Sequence, residues 1–157
     1  MVNEVDPSAD ALWESVGTTV SSAGTEEHQP RTEAEWLEVR RHAIVLTEAT
    51  NLLVMPGRKV AAPGKKLEDE GVLGIYTAAE AQAAIDGKHE VFVAFAHALH
   101  DAAEKMLTAI DAKNPQGMLT AGEAIDEACE SCHMTFWYPN QVLPKFPQAT
   151  TRAAPGE

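Results

Sequence analysis

Apolar residues recur three or four positions apart along most of the chain, with polar residues between them, which is the spacing of one buried face on a helix. Four stretches carry this period. The first runs from Asp6 or slightly earlier to Ser22, with Val5, Leu12, Val16 and Val20 in phase, and Pro7 suits the opening turn of such a helix. The second opens with Thr32-Glu33-Ala34-Glu35, in which a threonine and a glutamate three apart cap each other's backbone. It carries Trp36, Val39, Ala43, Leu46 and Leu53 on one face until Pro56-Gly57 stops it. The third opens with the similar Thr77-Ala78-Ala79-Glu80 and, running past Gly87 to Lys113, aligns Phe92, Phe95, Leu99, Ala102, Met106 and Ile110. The fourth starts at Asn114-Pro115, a cap followed by a proline suited to the first turn. It turns Met118, Ala121, Ile125, Ala128 and Cys132 inward until Pro139. Almost nothing alternates with the period of a strand. The pattern therefore predicts an all-α fold, an antiparallel four-helix bundle over residues 1–138, followed by a proline-rich tail over 139–157. A loop punctuated by glycine and proline, from Pro56 to Tyr76, joins the second and third helices.

Length and charge narrow what such a bundle does. At 157 residues with 45% hydrophobic content, the chain suffices for one domain with a core that needs no disulfide staples. Its formal charge of −12 argues against nucleic acid or an anionic membrane as partner, because both require a concentrated basic face. A basic protein partner is the natural complement. No run approaches the roughly 18 apolar residues that cross a bilayer, and no basic-then-apolar signal segment opens the chain.

Both cysteines lie in the stretch DEACESCHMTFWYP, Asp126 to Pro139, as Cys129-Glu130-Ser131-Cys132-His133. Three chemistries use such spacing: a redox-active dithiol, part of a zinc site, and covalent attachment of haem. A dithiol oxidoreductase places its pair at a helix N-terminus after a strand, where the positive helix end lowers the thiol pKa. Here the pair falls at the opposite helix end. A structural zinc site needs four ligands, and no second cysteine pair exists; His97 and His100 sit on another helix. One helical turn separates Cys129 from Cys132, so both sulfurs reach one face with His133 close by. That arrangement suits two thioether bonds to a haem with the imidazole on its iron, and the pentapeptide is the usual signature of such attachment.

Four helices with Cys129, Cys132 and His133 near the end of the last resemble the class II c-type cytochromes, meaning the cytochrome c-prime family and its low-spin, methionine-ligated relatives. Softer likenesses lie in NLLVMPGR, Asn51 to Arg58, and in the aromatic ending through Tyr138. The resemblance implies one covalent haem c, His133 as proximal iron ligand, and a periplasmic location, with the chain read as mature or trimmed. It further implies a one-electron transfer protein rather than an enzyme, with redox partner proteins and, as in many members, a homodimer. The alternative within that family is five-coordinate iron that binds nitric oxide or carbon monoxide.

The sixth position on iron separates those two. Leu12 and Trp13 are where a distal wall would form, and neither ligates iron. Met1 keeps the phase of the first helix and is the candidate distal ligand, although a chain-terminal methionine is equally well a free end. Met55 precedes the loop, Met106 and Met118 read as core, and Met134 follows the proximal histidine. His42 and His89 read as surface, and His97 and His100 fall off the buried stripe. Trp36, Phe136 and Trp137 either wall the cofactor or fill the core. Arg58 is placed to pair with a haem propionate or with water, and Lys59, Lys65 and Lys66 face solvent.

Overall fold

A computed structural model describes residues 1–141. The chain folds as α1 (Val5–Glu14), β1 (Gly17–Ser21), β2 (Gly24–His28), α2 (Glu33–Leu53), α3 (Ala78–Gly87), α4 (His89–Asp111) and α5 (Pro115–Phe136). The expected all-α four-helix bundle is thus corrected to a mixed architecture of five helices and a two-stranded antiparallel sheet.

Two departures account for the difference. The first helix ends at Glu14, eight residues before its expected end at Ser22. Gly17-Thr18-Thr19-Val20-Ser21 then pairs with Gly24–His28, Ser21 opposite Gly24 and Gly17 opposite His28. Thr18, Thr19 and Val20 are β-branched and fit a pleated chain better than a helix. Gly24 takes φ 135°, a conformation side chains disfavour, at the end of the Ser22-Ala23 turn. Val20, expected on the buried stripe, is 77% exposed. The expected third helix is divided. α3 closes with the Lys88 N–H on the Ala84 and Ile85 carbonyls, and Lys88 leaves helical geometry at φ −135°, ψ 42° before α4 begins.

The two threonine boxes form as their sequences require. The Thr32 hydroxyl accepts from Glu35 N–H while the Glu35 carboxylate accepts from Thr32 N–H, and Thr77 and Glu80 repeat the exchange. Asn114 caps α5 through Gly117 N–H, with Pro115 in the first turn. Below these caps, Leu12, Ala43, Leu46, Ala103, Met106, Met118 and Ile125 share one core. Each is fully buried, worth roughly 1.5–3 kcal/mol for a large apolar side chain.

Contacts at the helix ends fix their directions. Arg40 on α2 meets Asp111 at 2.7 Å, and Lys113 pairs with Glu33, so the start of α2 lies beside the end of α4. Phe92 and Phe95 at the start of α4 meet Phe136 at the end of α5 with ring centroids 5.5 and 6.2 Å apart. The end of α5, the start of α4 and the end of α2 therefore share one end of the molecule. The loop from Val54 to Thr77 returns to that end, where Tyr76 N–H donates to the Trp137 carbonyl at 2.8 Å. Gly74 runs so close to Asn140 that a Cβ there would stand 2.5 Å from its carbonyl oxygen. Of the expected tail, residues 142–157 lie outside the described residues. No helix among the described residues is long and apolar enough to cross a membrane.

Candidate functional site at the end of the last helix

α5 packs chiefly against α4, and α1 chiefly against α2, so the seam between α1 and α5 is sparsely filled. Cys129, Cys132 and His133 occupy the last two turns of α5. Cys129 leans on the core from its edge, and both cysteines are free, half-buried thiols. Burial pushes the Cys129 thiol up to about 11, reinforced by Cys132, Asp126, Asp6 and Glu130; burial alone does the same to Cys132. Burial also holds the His133 imidazole below its ordinary range, against the opposing pull of Glu130 and Asp6. The ring is therefore neutral at neutral pH, with a nitrogen lone pair free to bind a metal.

Asp6 lies in the first turn of α1, and its field at both Cys129 and His133 places that turn beside the end of α5. Met1 lies one turn further out, its carbonyl accepting from the Glu4, Val5 and Asp6 N–H groups, with its side chain exposed. Met55 and Arg58, just beyond α2, belong to the same end of the molecule and are exposed. Met106 and Met118 are fully buried in the core. Met134 points outward beyond His133.

The remaining sequence candidates are distributed around this site. Leu12 is fully buried in the core and contributes to the floor of a groove between α1 and α5. Trp13 donates its indole N–H to the Gly122 carbonyl at 3.1 Å, tying α1 to α5. The groove, of about 360 Å³, is also lined by Trp13, Val16, Met118, Gly122 and Asp126. It adjoins the cysteine pair only at Asp126, one turn before Cys129. Phe136 is buried on the opposite side of α5, against Phe92 and Phe95. Trp36 packs on the core rim. His42 pairs with Glu38, and His89 and His97 are exposed.

Residues that the sequence ranked low complete the site. The Trp137 ring stands edge-on to His133 with centroids 5.0 Å apart, and Tyr138 lies 5.8 Å from the same imidazole. The Tyr138 hydroxyl donates to the Glu130 carboxylate, which together with burial raises its pKa. Trp137 Nε1 is the one buried side-chain nitrogen or oxygen without a hydrogen-bond partner among the described residues. Their run WYP, one helical turn after the motif, was the available signal.

The three chemistries now separate further. Thiols raised toward 11 are poor nucleophiles at neutral pH, and the negative end of α5 does nothing to lower them. Among the described residues, the His, Cys, Asp and Glu side chains whose ligand atoms converge within 4.8 Å are His100, Asp101 and Glu104, on the surface of α4. Neither cysteine joins such a group, so a zinc cage around the pair lacks ligands. A haem fits this donor set. A thioether sulfur carries no charge, so the burial that disfavours a thiolate imposes no such cost on it. The imidazole, its protonation disfavoured by burial, offers a nitrogen lone pair. Comparison with protein-family models, with curated proteins and with solved structures finds no match for this chain.

Proposed function

We propose that the chain is a periplasmic c-type cytochrome: a one-electron carrier holding one haem through thioethers at Cys129 and Cys132, with His133 on its iron. The observation that carries this reading is the cysteine pair and neutral imidazole sharing the last turns of α5, beside the sparsely packed α1 seam. When bound, haem supplies a reversible iron couple. The protein's own residues set its terms. Two attachment points one turn apart fix the position of the ring system on the helix, and the Trp137 ring edge limits rotation of His133. Asp6, Asp126 and Glu130 gather negative charge there, which favours the more positive oxidised state and lowers the potential. Val5–Glu14 contains neither histidine nor arginine, so α1 itself offers no distal acid–base pair of the kind peroxidase chemistry uses.

A second reading rests on the same helix. Val5–Glu14 contains no methionine, histidine or cysteine, so α1 itself offers no sixth ligand and Met1, one turn before it, is the candidate. If Met1 does not bind, the iron is five-coordinate and takes nitric oxide or carbon monoxide.

Covalent haem predicts that colour stays with the polypeptide after acid–acetone extraction and that the double variant Cys129→Ala/Cys132→Ala loses it. His133→Ala abolishes the native spectrum. Extractable haem, or tightly held zinc in its place, overturns the reading. In the oxidised protein a methionine–sulfur charge-transfer band favours the carrier, whereas high-spin bands and prompt carbon monoxide binding favour the gas binder.

A further inference from the structure

α4 packs Leu99, Ala102, Ala103 and Met106 into the core. Along the same stretch, His97-Ala98-Leu99-His100-Asp101-Ala102-Ala103-Glu104, the polar residues fall on the side away from it. His97 and Asp101 are four residues apart, as are His100 and Glu104, and His100 is three after His97. All four therefore lie within roughly 100° of the helix circumference. His97, Asp101 and Glu104 are exposed and His100 is half-buried. One ligand atom from each of His100, Asp101 and Glu104 lies within 4.8 Å of the other two, and His100 Nδ1 stands 3.6 Å from Asp101 Oδ1. Donors around a tetrahedral zinc with bonds of about 2.0–2.1 Å stand roughly 3.4 Å apart, so modest side-chain rotations on a fixed backbone close the set.

Two features distinguish this turn from an ordinary charged helix face. Carboxylates elsewhere on α2 and α4 are engaged by bases: Glu33 by Lys113, Glu38 by Arg41, Asp111 by Arg40. Among the described residues, Asp101 pairs with His100 alone, and Glu104 pairs with no base. The second feature is rigidity, since Ala103 and Met106 beneath the turn are fully buried and hold the backbone that carries the donors. An imidazole with two carboxylates suits zinc or copper(II), whereas calcium and magnesium prefer shells built from oxygen.

We infer that His100, Asp101 and Glu104 form a binding site for a divalent transition metal, zinc or copper(II), with His97 one turn earlier on the same face as a further donor. The site lies on α4 and uses neither cysteine, so it stands or falls separately from the covalent-haem reading.

Calorimetric titration with zinc of the full chain, first cleared of metal with EDTA, should show a site that weakens by at least about tenfold in His100→Ala, since even the outer partners of metal ligands are worth that much. His42→Ala and His89→Ala should leave it unchanged. The same titration in the Cys129→Ala/Cys132→Ala background separates this site from zinc held by thiols. Asp101→Asn/Glu104→Gln, at exposed positions and with side-chain size kept, should weaken binding as well and guards against loss of fold at half-buried His100. Copper(II) bound to the same cysteine-free chain should show nitrogen hyperfine splitting in its electron paramagnetic resonance spectrum that changes in His100→Ala. No zinc binding in the cysteine-free background, equal affinity in the carboxylate variant, or copper splitting indifferent to His100 overturns the inference.

Discussion

The two sides of α5 are built differently. Toward α4 the helix presents Phe136 into an edge-on cluster with Phe92 and Phe95, and the seam continues into a core of fully buried side chains. Toward α1 it shares the lower part of that core through Leu12, is tied by one indole hydrogen bond at Gly122, and borders a groove. The cysteine pair and His133 lie at the end of the second side, under the influence of Asp6 on α1. A close-packed seam holds a helix in register and leaves no room for a ligand, whereas a sparse seam gives up stability to keep room. The difference teaches which side of α5 would yield to the proposed cofactor at least cost to the core.

The first way to break this comparison is to cut both seams. Phe136→Ala should lower the unfolding free energy by about 3–5 kcal/mol, the usual cost of removing a buried aromatic side chain. Trp13→Phe, which removes one half-buried hydrogen bond together with the five-membered ring beside Gly122, should cost about 1–2 kcal/mol. Gly122→Ala sharpens the contrast, because a Cβ there would lie 3.3 Å from Trp13 Cδ1. Trp13 is 37% exposed and has room to shift, so the gain in helix propensity, up to about 1 kcal/mol, should leave the variant neutral or stabilised. Urea unfolding of the three variants checks all of this. Similar losses at Phe136 and Trp13, or a Gly122→Ala penalty near that of Phe136→Ala, would show that the two seams are packed alike.

How much of this was legible in the sequence follows from which signals are local. Caps are local, and Thr32, Thr77 and Asn114 announced three helix starts to the residue. The stripe from Leu99 to Ile110 was legible because it is long and regular. Val16 is buried as its phase required, but Val20 misled, because two valines four apart fit a helix as well as a strand, and the β-branched run between bracketing glycines was the stronger signal. The motif itself needs no tertiary information. The place of Trp137 was not legible, since it depends on a ring packed against His133 and a backbone bond from Tyr76, sixty-one residues earlier.

The second prediction uses pH to separate thiol from thioether. Burial raises both cysteine thiols from 9.0 to about 11. Below about pH 9 they are protonated in folded and unfolded chains alike, and their contribution is whole. As pH rises from 9 toward 11, the unfolded chain releases these protons and the folded chain keeps them, so stability falls. Two units correspond to at most about 2.7 kcal/mol per thiol, and partial exposure brings this to about 1–2 kcal/mol each. In protein with thioethers there is no thiol proton to lose, and this part of the alkaline slope should vanish. Tyr138, also raised, chiefly by burial and its bond to Glu130, titrates in both forms, and only the small part of its shift owed to Cys129 survives in the difference. Urea unfolding at pH 8 and 10.5, with and without haem, gives the comparison; equal alkaline losses in the two forms would mean that the thiols are not the attachment points.

The smallest effect concerns the outer rim of the sparse seam. Glu123, Asp126, Glu127 and Glu130 are exposed along α5, and Asp6 adds a fifth carboxylate from α1. If electrons leave across this rim, a basic partner should be steered to it. Its association rate should fall by about tenfold as ionic strength shortens the Debye length from roughly 30 Å to 8 Å, while an acidic partner should speed up or stay level. An exposed acidic helix face is also an ordinary way to stay in solution, so the charge alone decides nothing; its position relative to the site is what can be tested. Asp6→Asn/Asp126→Asn removes two charges beside Cys129. Glu33→Gln/Glu38→Gln removes two near the start of α2, at the far end of the molecule. Stopped-flow electron transfer with a small basic donor should slow by about two- to threefold for the first pair and hardly at all for the second. Equal slowing by both pairs would mean that the donor responds to net charge, and that the sparse seam is not where it docks.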